Sequence, residues 1–443
     1  MSRTPFEVRV RLSATLALAS AAALAASCRE SPPAEPEPEG CAAIRVTPAA
    51  HPIPGTLLAA RREAALARIG RGVALVAAGW DMAQAEGDPE RQNSAFYYLT
   101  GLEHVERGWL ALIARDGGAD EVRLYLPVED AVAGGVPATA AAGVGGDGVR
   151  CFSDAPAELE AVLVRDATVA DGDLYLNPNG ELAQFVDGEL GIGQWEQVRQ
   201  LVMPLRAVKD SAEVSLLRDA ATITAEAIAL AMEATEPGLN ERDIEAVIER
   251  AFTDAGAVRR AFPSIVASGE HALEPHYFTN DGPLAAGELV VVDVGVEYGR
   301  YAGDVARTWP VSGEFTERQT ALYGLVLAAL RDGIAAVQPG NTMADVDVAI
   351  AARLDATDLC AGGCAAFMSH GPGHGVGLDV HDDPIYPAFS PGAVVNVEPG
   401  IYLAAENIGL RLEETVLVTP TGHEVLSVGA PLELEDIEAL MAD

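Results

Sequence analysis

Asp293 closes the apolar run Leu289-Val290-Val291-Val292, a setting that suits a fully buried strand. An unpaired carboxylate is costly there, so its charge must be met by a cation or a proton. The chain from Glu288 to Thr308 has the pattern of a hairpin, and with the turn centred on Tyr298 and Gly299, Asp293 and Asp304 face each other. Directly opposed side chains have Cβ atoms about 4.5–5.5 Å apart, close enough for two carboxylates to repel unless something positive lies between them. A metal ion satisfies both residues.

The segment from Ser369 to Asp382 holds three of the chain's eight histidines, His370, His374 and His381, among glycines that let backbone and ligand approach closely. Glu398 ends the apolar run Val394-Val395-Asn396-Val397 immediately before Pro399-Gly400. From Ile408 to Thr415 polar and apolar residues alternate, which places Arg411, Glu413 and Thr415 on one face of a strand.

Asp293, Asp304, His374, Glu398 and Glu413, in this order and these contexts, resemble the ligand set of the pita-bread metallopeptidases, which include methionine aminopeptidase, aminopeptidase P and prolidase. The likeness runs from Arg206 to Leu426. Upstream, Glu90-Arg91-Gln92-Asn93-Ser94-Ala95-Phe96-Tyr97-Tyr98-Leu99-Thr100-Gly101 is similar to the signature of the N-terminal domain of aminopeptidase P and prolidase, a domain that methionine aminopeptidase lacks.

The resemblance implies an Xaa-Pro aminopeptidase, which releases the N-terminal residue of peptides with proline second, and leaves Xaa-Pro dipeptidase as the alternative. It implies two divalent ions, Mn(II) the favoured metal, because carboxylate-rich ligation with one imidazole suits it. Asp293, Asp304, His374, Glu398 and Glu413 would hold them, with Glu398 also a proton acceptor. His276, in Glu274-Pro275-His276-Tyr277, and His381 match positions that contact substrate and the tetrahedral species. His370 matches a substrate-pocket position, and Arg411 one that orients a ligand carboxylate. A homo-oligomer, dimer or tetramer, is expected. Creatinase shares both domains but lacks the acidic set. Catalytically silent peptide-binding modules of this fold tend to lose ligands.

The elements that must position these residues fall into two groups. A helix over 58–69, strands over 73–76, 109–113 and 122–126, and a helix over 157–164 predict an α/β N-terminal domain of the creatinase and aminopeptidase P type. Residues 131–148, rich in Ala and Gly, read as a loop. Helices over 212–234, 241–255 and 317–337, with strand-like segments between them, predict an α+β domain with helices packed on an antiparallel sheet, the pita-bread catalytic domain of the resemblance. The expected organisation is a signal peptide over 1–27, a Pro- and Glu-rich tether over 28–50, the first domain over 51–205 and the second over 206–443.

A formal net charge of −37 with no basic block excludes nucleic acid as a partner. Arg3, Arg9 and Arg11 precede an apolar stretch over 12–26, which reads as an export signal and is shorter than the roughly 20 residues of a spanning helix. Leu24-Ala25-Ala26-Ser27-Cys28 resembles a bacterial lipoprotein cleavage box, so Cys28 is the candidate for acylation and the periplasm or cell envelope the expected location. Export permits disulfides. Cys360 and Cys364 bracket a short Ala-Gly-Gly turn that such a bond can close, and Cys41 and Cys151 can pair or stay free.

Overall fold

In a sheet covered on both faces the strands need no polar side, and Gly72–Ala77 and Trp109–Ala114 are buried along their whole length. They form the centre of a six-stranded sheet in the order Val149–Cys151, Glu121–Leu126, Trp109–Ala114, Gly72–Ala77, Asp173–Leu176, Glu196–Gln197. The three central strands are antiparallel to one another, and the outer three join in parallel. This computed structural model describes residues 46–47, 53–79, 91–127, 136–137, 149–169, 172–177, 180–257, 259–382 and 388–442. The export segment, the tether and Cys41 lie outside them. Of the glycine-rich stretch expected to be a loop, Val136–Pro137 is described, and it is a short strand parallel to Val46–Thr47.

The two faces of this sheet divide by parity, as a period of two requires. Val73, Leu75, Trp109 and Ile113 pack with Phe152, Leu159 and Phe185. Ala74, Val76, Leu110 and Leu112 pack with Leu58 and Leu66 of the helix Gly55–Ile69, and that cluster continues without a break to Leu217, Tyr301, Val394 and Leu426. This cluster therefore spans both lobes, while others are confined to one of them.

In the second lobe, the helices Ser211–Ala234, Glu241–Asp254 and Glu317–Ala336 each start at a capping box, with Asp210, Asn240 and Thr316 as the first members. They cover antiparallel strands. Ile265–Ser268, Leu289–Val294 and Val305–Pro310 make one sheet, and Val394–Val397, Glu414–Thr419 and Gly422–Val425 another. Gly400–Leu403 pairs with Ile408–Arg411. Cys360 and Cys364 form a disulfide with Cα atoms 4.9 Å apart. Cys151 is disulfide-bonded too. Among the described residues no helix is long and apolar enough to cross a membrane.

Candidate metal centre

The hairpin carrying the two aspartates turns one residue later than its sequence pattern suggests. Tyr298 faces Tyr301 across a Gly299-Arg300 turn whose φ angles, 55° and 75°, are both positive, as a type I′ turn demands. Asp293 consequently faces Ala306 rather than Asp304. The displacement is two residues, which preserves the face, so the carboxylates are diagonal neighbours on one side instead of direct opposites. Asp304 itself sits in a break between Tyr301–Ala302 and Val305–Pro310. Glycines make the break: a Cβ on Gly295 would stand 1.9 Å from the carbonyl oxygen of Gly303, and one on Gly303 would stand 2.4 Å from Thr224 Oγ1.

A second break corrects another expectation. Arg411 and Glu413 do not share one continuous strand, because pairing with Gly400–Leu403 ends at Arg411 and pairing with Val394–Val397 begins at Glu414. Glu413 is freed between them, its N–H donating to the carbonyl of Ala306 at 3.0 Å. His374 is pinned from its neighbours: Asn396 N–H donates to the His374 carbonyl at 2.8 Å, and Glu398 N–H to that of Pro372 at 3.0 Å.

The five residues line one cavity of about 350 Å³, together with His276, His370, His381 and Arg411. Donor atoms of Asp304, His374 and Glu413 lie within 4.8 Å of one another. His374 Nε2 is 3.3 Å from Asp304 Oδ2 and 3.9 Å from Glu398 Oε1. Arg411 Nη2 pairs with Asp293 Oδ2 at 3.0 Å and also donates to the Pro275 carbonyl, which fixes the residue before His276. Every sequence-predicted site residue thus reaches the same space.

The electrostatics of this space favour positive charge. Burial, opposed by Arg411 but reinforced by Asp304 and Glu398, pushes the Asp293 carboxyl up to about 7. Burial likewise lifts Glu398 to about 6, despite His374 and Arg411, and raises Glu413 well above the carboxylate range, with Asp304 and Asp293 adding repulsion. Burial disfavours charge on His374, yet its hydrogen bond to Asp304 and the surrounding acids raise it to about 9. Asp293 Oδ1 and Glu413 Oε2 are buried with no hydrogen-bond partner. Acids crowded out of water with oxygen atoms unmet are what divalent cations neutralise, and an oxygen-rich set with one imidazole fits such ions.

His370 is different. Burial, with Arg411 nearby, lowers it to about 4, so its ring is neutral. Nδ1 then donates to the Gly371 carbonyl at 2.9 Å, and Nε2 accepts from the Tyr402 hydroxyl at 2.8 Å.

Three groups have supporting roles that the sequence reading does not assign, although it places Thr415 on the same face as Glu413. Asn396 Nδ2 donates to Glu413 Oε1 at 2.8 Å, leaving the other oxygen to face the site, and Thr415 Oγ1 donates to the Asp304 carbonyl at 2.8 Å. A polar Asn inside a valine strand was a visible signal. Glu241 gave none, since a first-turn helix acid is ordinary. It is fully buried and accepts hydrogen bonds from Ser268 N at 2.8 Å, Gly282 N at 2.6 Å and the Tyr277 hydroxyl at 3.0 Å, tying down the loop that presents His276 and Phe278 to the cavity. Phe262, Ile265, Phe278 and Val380 supply the apolar part of the wall.

The chain belongs to metallopeptidase family M24, in its aminopeptidase P and prolidase branch, and residues 215–420 match the family model. The Xaa-Pro aminopeptidase of Escherichia coli is 32% identical over 399 residues, covering 80% of this chain and 89% of that protein. The Xaa-Pro dipeptidase of Pyrococcus horikoshii is 32% identical over 241 residues, 53% of this chain and 67% of the relative. Among solved structures, aminopeptidase P from E. coli with the inhibitor Pro-Leu superposes with a TM-score of 0.77 at 28% identity, over 88% of this chain and 98% of that one.

Proposed function

We propose that the chain is a metalloaminopeptidase acting on Xaa-Pro peptides, in which Asp293, Asp304, His374, Glu398 and Glu413 hold two divalent ions, Mn(II) the favoured metal. The observation that carries the reading is the pair of unmet buried oxygens, Asp293 Oδ1 and Glu413 Oε2, beside the Asp304, His374 and Glu413 donor cluster. The aminopeptidase relative matched along most of both chains supports the reaction class.

Divalent ions in such a site make water acidic and polarise a carbonyl. The remaining work falls to the chain's own groups. Glu398, a carboxylate on the cavity wall beside His374, would accept a proton and pass it to the departing amine. His276 and His381, on the cavity wall, hydrogen-bond the peptide as negative charge develops on the carbonyl oxygen. Neutral His370, fixed by Tyr402, shapes the substrate pocket without adding charge, and Arg411 holds Asp293 in place.

Purified protein should retain about two equivalents of divalent ion, as a two-metal hydrolase needs. It should remove the first residue from an Xaa-Pro-Yaa tripeptide and leave an Xaa-Pro dipeptide intact. Cleavage confined to the dipeptide would make it a dipeptidase; absence of both bound ion and cleavage would leave a silent peptide-binding module.

We further propose that the protein is exported to the periplasm or cell envelope, is anchored there through an acylated Cys28, and assembles as a homodimer or tetramer. Support comes from the apolar segment after Arg11 and from the Cys360–Cys364 bond, which suits an oxidising compartment. Cys28→Ser should move the protein from the membrane fraction to the soluble fraction, where sedimentation gives its assembly size. Unchanged partitioning rules the anchor out.

A further inference from the structure

The Arg91–Gly101 motif lies far from the centre in sequence, yet its polar members are buried: Arg91, Gln92 and Ser94 are exposed by 6, 2 and 2%. A guanidinium out of water must be met at most of its N–H groups. Arg91 Nε donates to Glu297 Oε2 at 2.7 Å and Nη1 to Asp379 Oδ1 at 2.9 Å, while Nη2 donates to the Leu378 carbonyl. Ser94 Oγ donates to the same Asp379 oxygen at 2.6 Å. From the other side Arg206 Nη2 reaches Asp379 Oδ2 and Asp382 Oδ1, each at 2.5 Å, and Lys209 Nζ lies 3.4 Å from Asp382 Oδ2.

Asp379 and Asp382 bracket His381. The segment is closed on itself by Asp382 N–H donating to the Gly375 carbonyl at 2.8 Å, and is so tight that a Cβ on Gly377 would stand 1.8 Å from Asp382 Oδ2. The His381 ring meets the His374 ring edge-on at 4.3 Å between centroids. Whatever fixes Asp379 and Leu378 therefore fixes where the His381 imidazole stands.

We infer that Arg91 and Ser94 are positioning residues for His381: the signature of the first lobe is a clamp that holds a substrate-contacting histidine of the second. Arg91 suits the task because its rigid planar fork meets Glu297, Asp379 and the Leu378 carbonyl from three separate nitrogens, a fixed geometry that the single nitrogen of a lysine does not reproduce. The inference rests on the role proposed for His381.

The test is a double-mutant cycle on the metal-loaded enzyme, read by kcat, KM and bound metal. His381→Ala alone should lower kcat by about 100-fold, the loss typical of a group stabilising developing charge. Arg91→Lys should lower kcat by about tenfold with KM and metal content within twofold, yet cost less than about twofold when added to His381→Ala, the signature of coupled residues. Should Arg91→Lys not fold, Ser94→Ala, which removes one hydrogen bond, is read the same way, with about a threefold loss that disappears in the His381→Ala background. Equal losses in both backgrounds would overturn the clamp while leaving the role of His381 intact. Near wild-type kcat in His381→Ala itself would overturn that role, and the inference with it.

Discussion

Asp304→Asn is expected to cut kcat/KM by at least about 1000-fold, roughly 4 kcal/mol of transition-state stabilisation, while the protein still folds. The neutral amide is nearly isosteric but offers an ion no anionic oxygen. It sits where Asp304, His374 and Glu413 converge to within 4.8 Å, so the loss falls on the densest part of the donor set. The fold should survive because the backbone at residue 304 is held independently of the carboxylate, its carbonyl accepting from Thr415 Oγ1, and the side-chain contact that changes is the one with His374 Nε2 at 3.3 Å. Circular dichroism and thermal unfolding of the metal-free variant check the second half. Full activity of this variant in a metal-replete assay would remove Asp304 from the ligand set.

The metal-free protein should lose stability as pH rises from about 4 to about 9. A carboxyl raised to about 7 in the folded state, as Asp293 is, stays protonated between about pH 4 and 7 while its unfolded counterpart, near 4, has ionised. Over that interval the unfolded chain binds fewer protons, so stability falls with pH. Glu398, raised to about 6, acts in the same sense over a narrower range, and Glu413 adds to it. His374, raised to about 9 from its ordinary 6.5, contributes stability that is fully present below 6.5 and fades toward 9. His370, lowered to about 4, opposes the trend between about 4 and 6.5 and is outweighed by the raised acids. Divalent ions replace those protons as the neutralising charge. Their rise in Tm should therefore be small at pH 5 and largest near pH 9, by the equivalent of several kcal/mol. Calorimetry with and without chelator at pH 5, 7 and 9 measures it. A metal-free Tm that climbs with pH would contradict the electrostatics of the site.

How far the sequence reveals this protein depends on the distance over which each signal acts. Asp293 among valines, Glu398 before Pro399-Gly400 and the histidines of 370–381 announce themselves locally, because burial and turn chemistry are written in adjacent residues. Helix starts at Asp210, Asn240 and Thr316 are equally local, and the helices expected from 212, 241 and 317 lie within a residue of where they form. The hairpin register failed by two residues because Tyr298-Gly299 and Gly299-Arg300 are both plausible turns. What decides between them is a positive φ at Arg300, a residue not usually chosen for it. The break at Leu412-Glu413 was hidden by clean alternation, since only the partner strands show that pairing changes there. Short helices such as Ser94–Thr100 and Leu434–Met441 offer too few turns for a period to be read. Glu241 and Arg91 are invisible as supports because partners such as Gly282 and Asp379 lie 41 and 288 positions away.

The apolar cluster running from Leu58 to Leu426 has an evolutionary corollary. Two halves that bury each other's leucines are not beads on a string: a substitution tolerated in one half is vetted by the shape of the other.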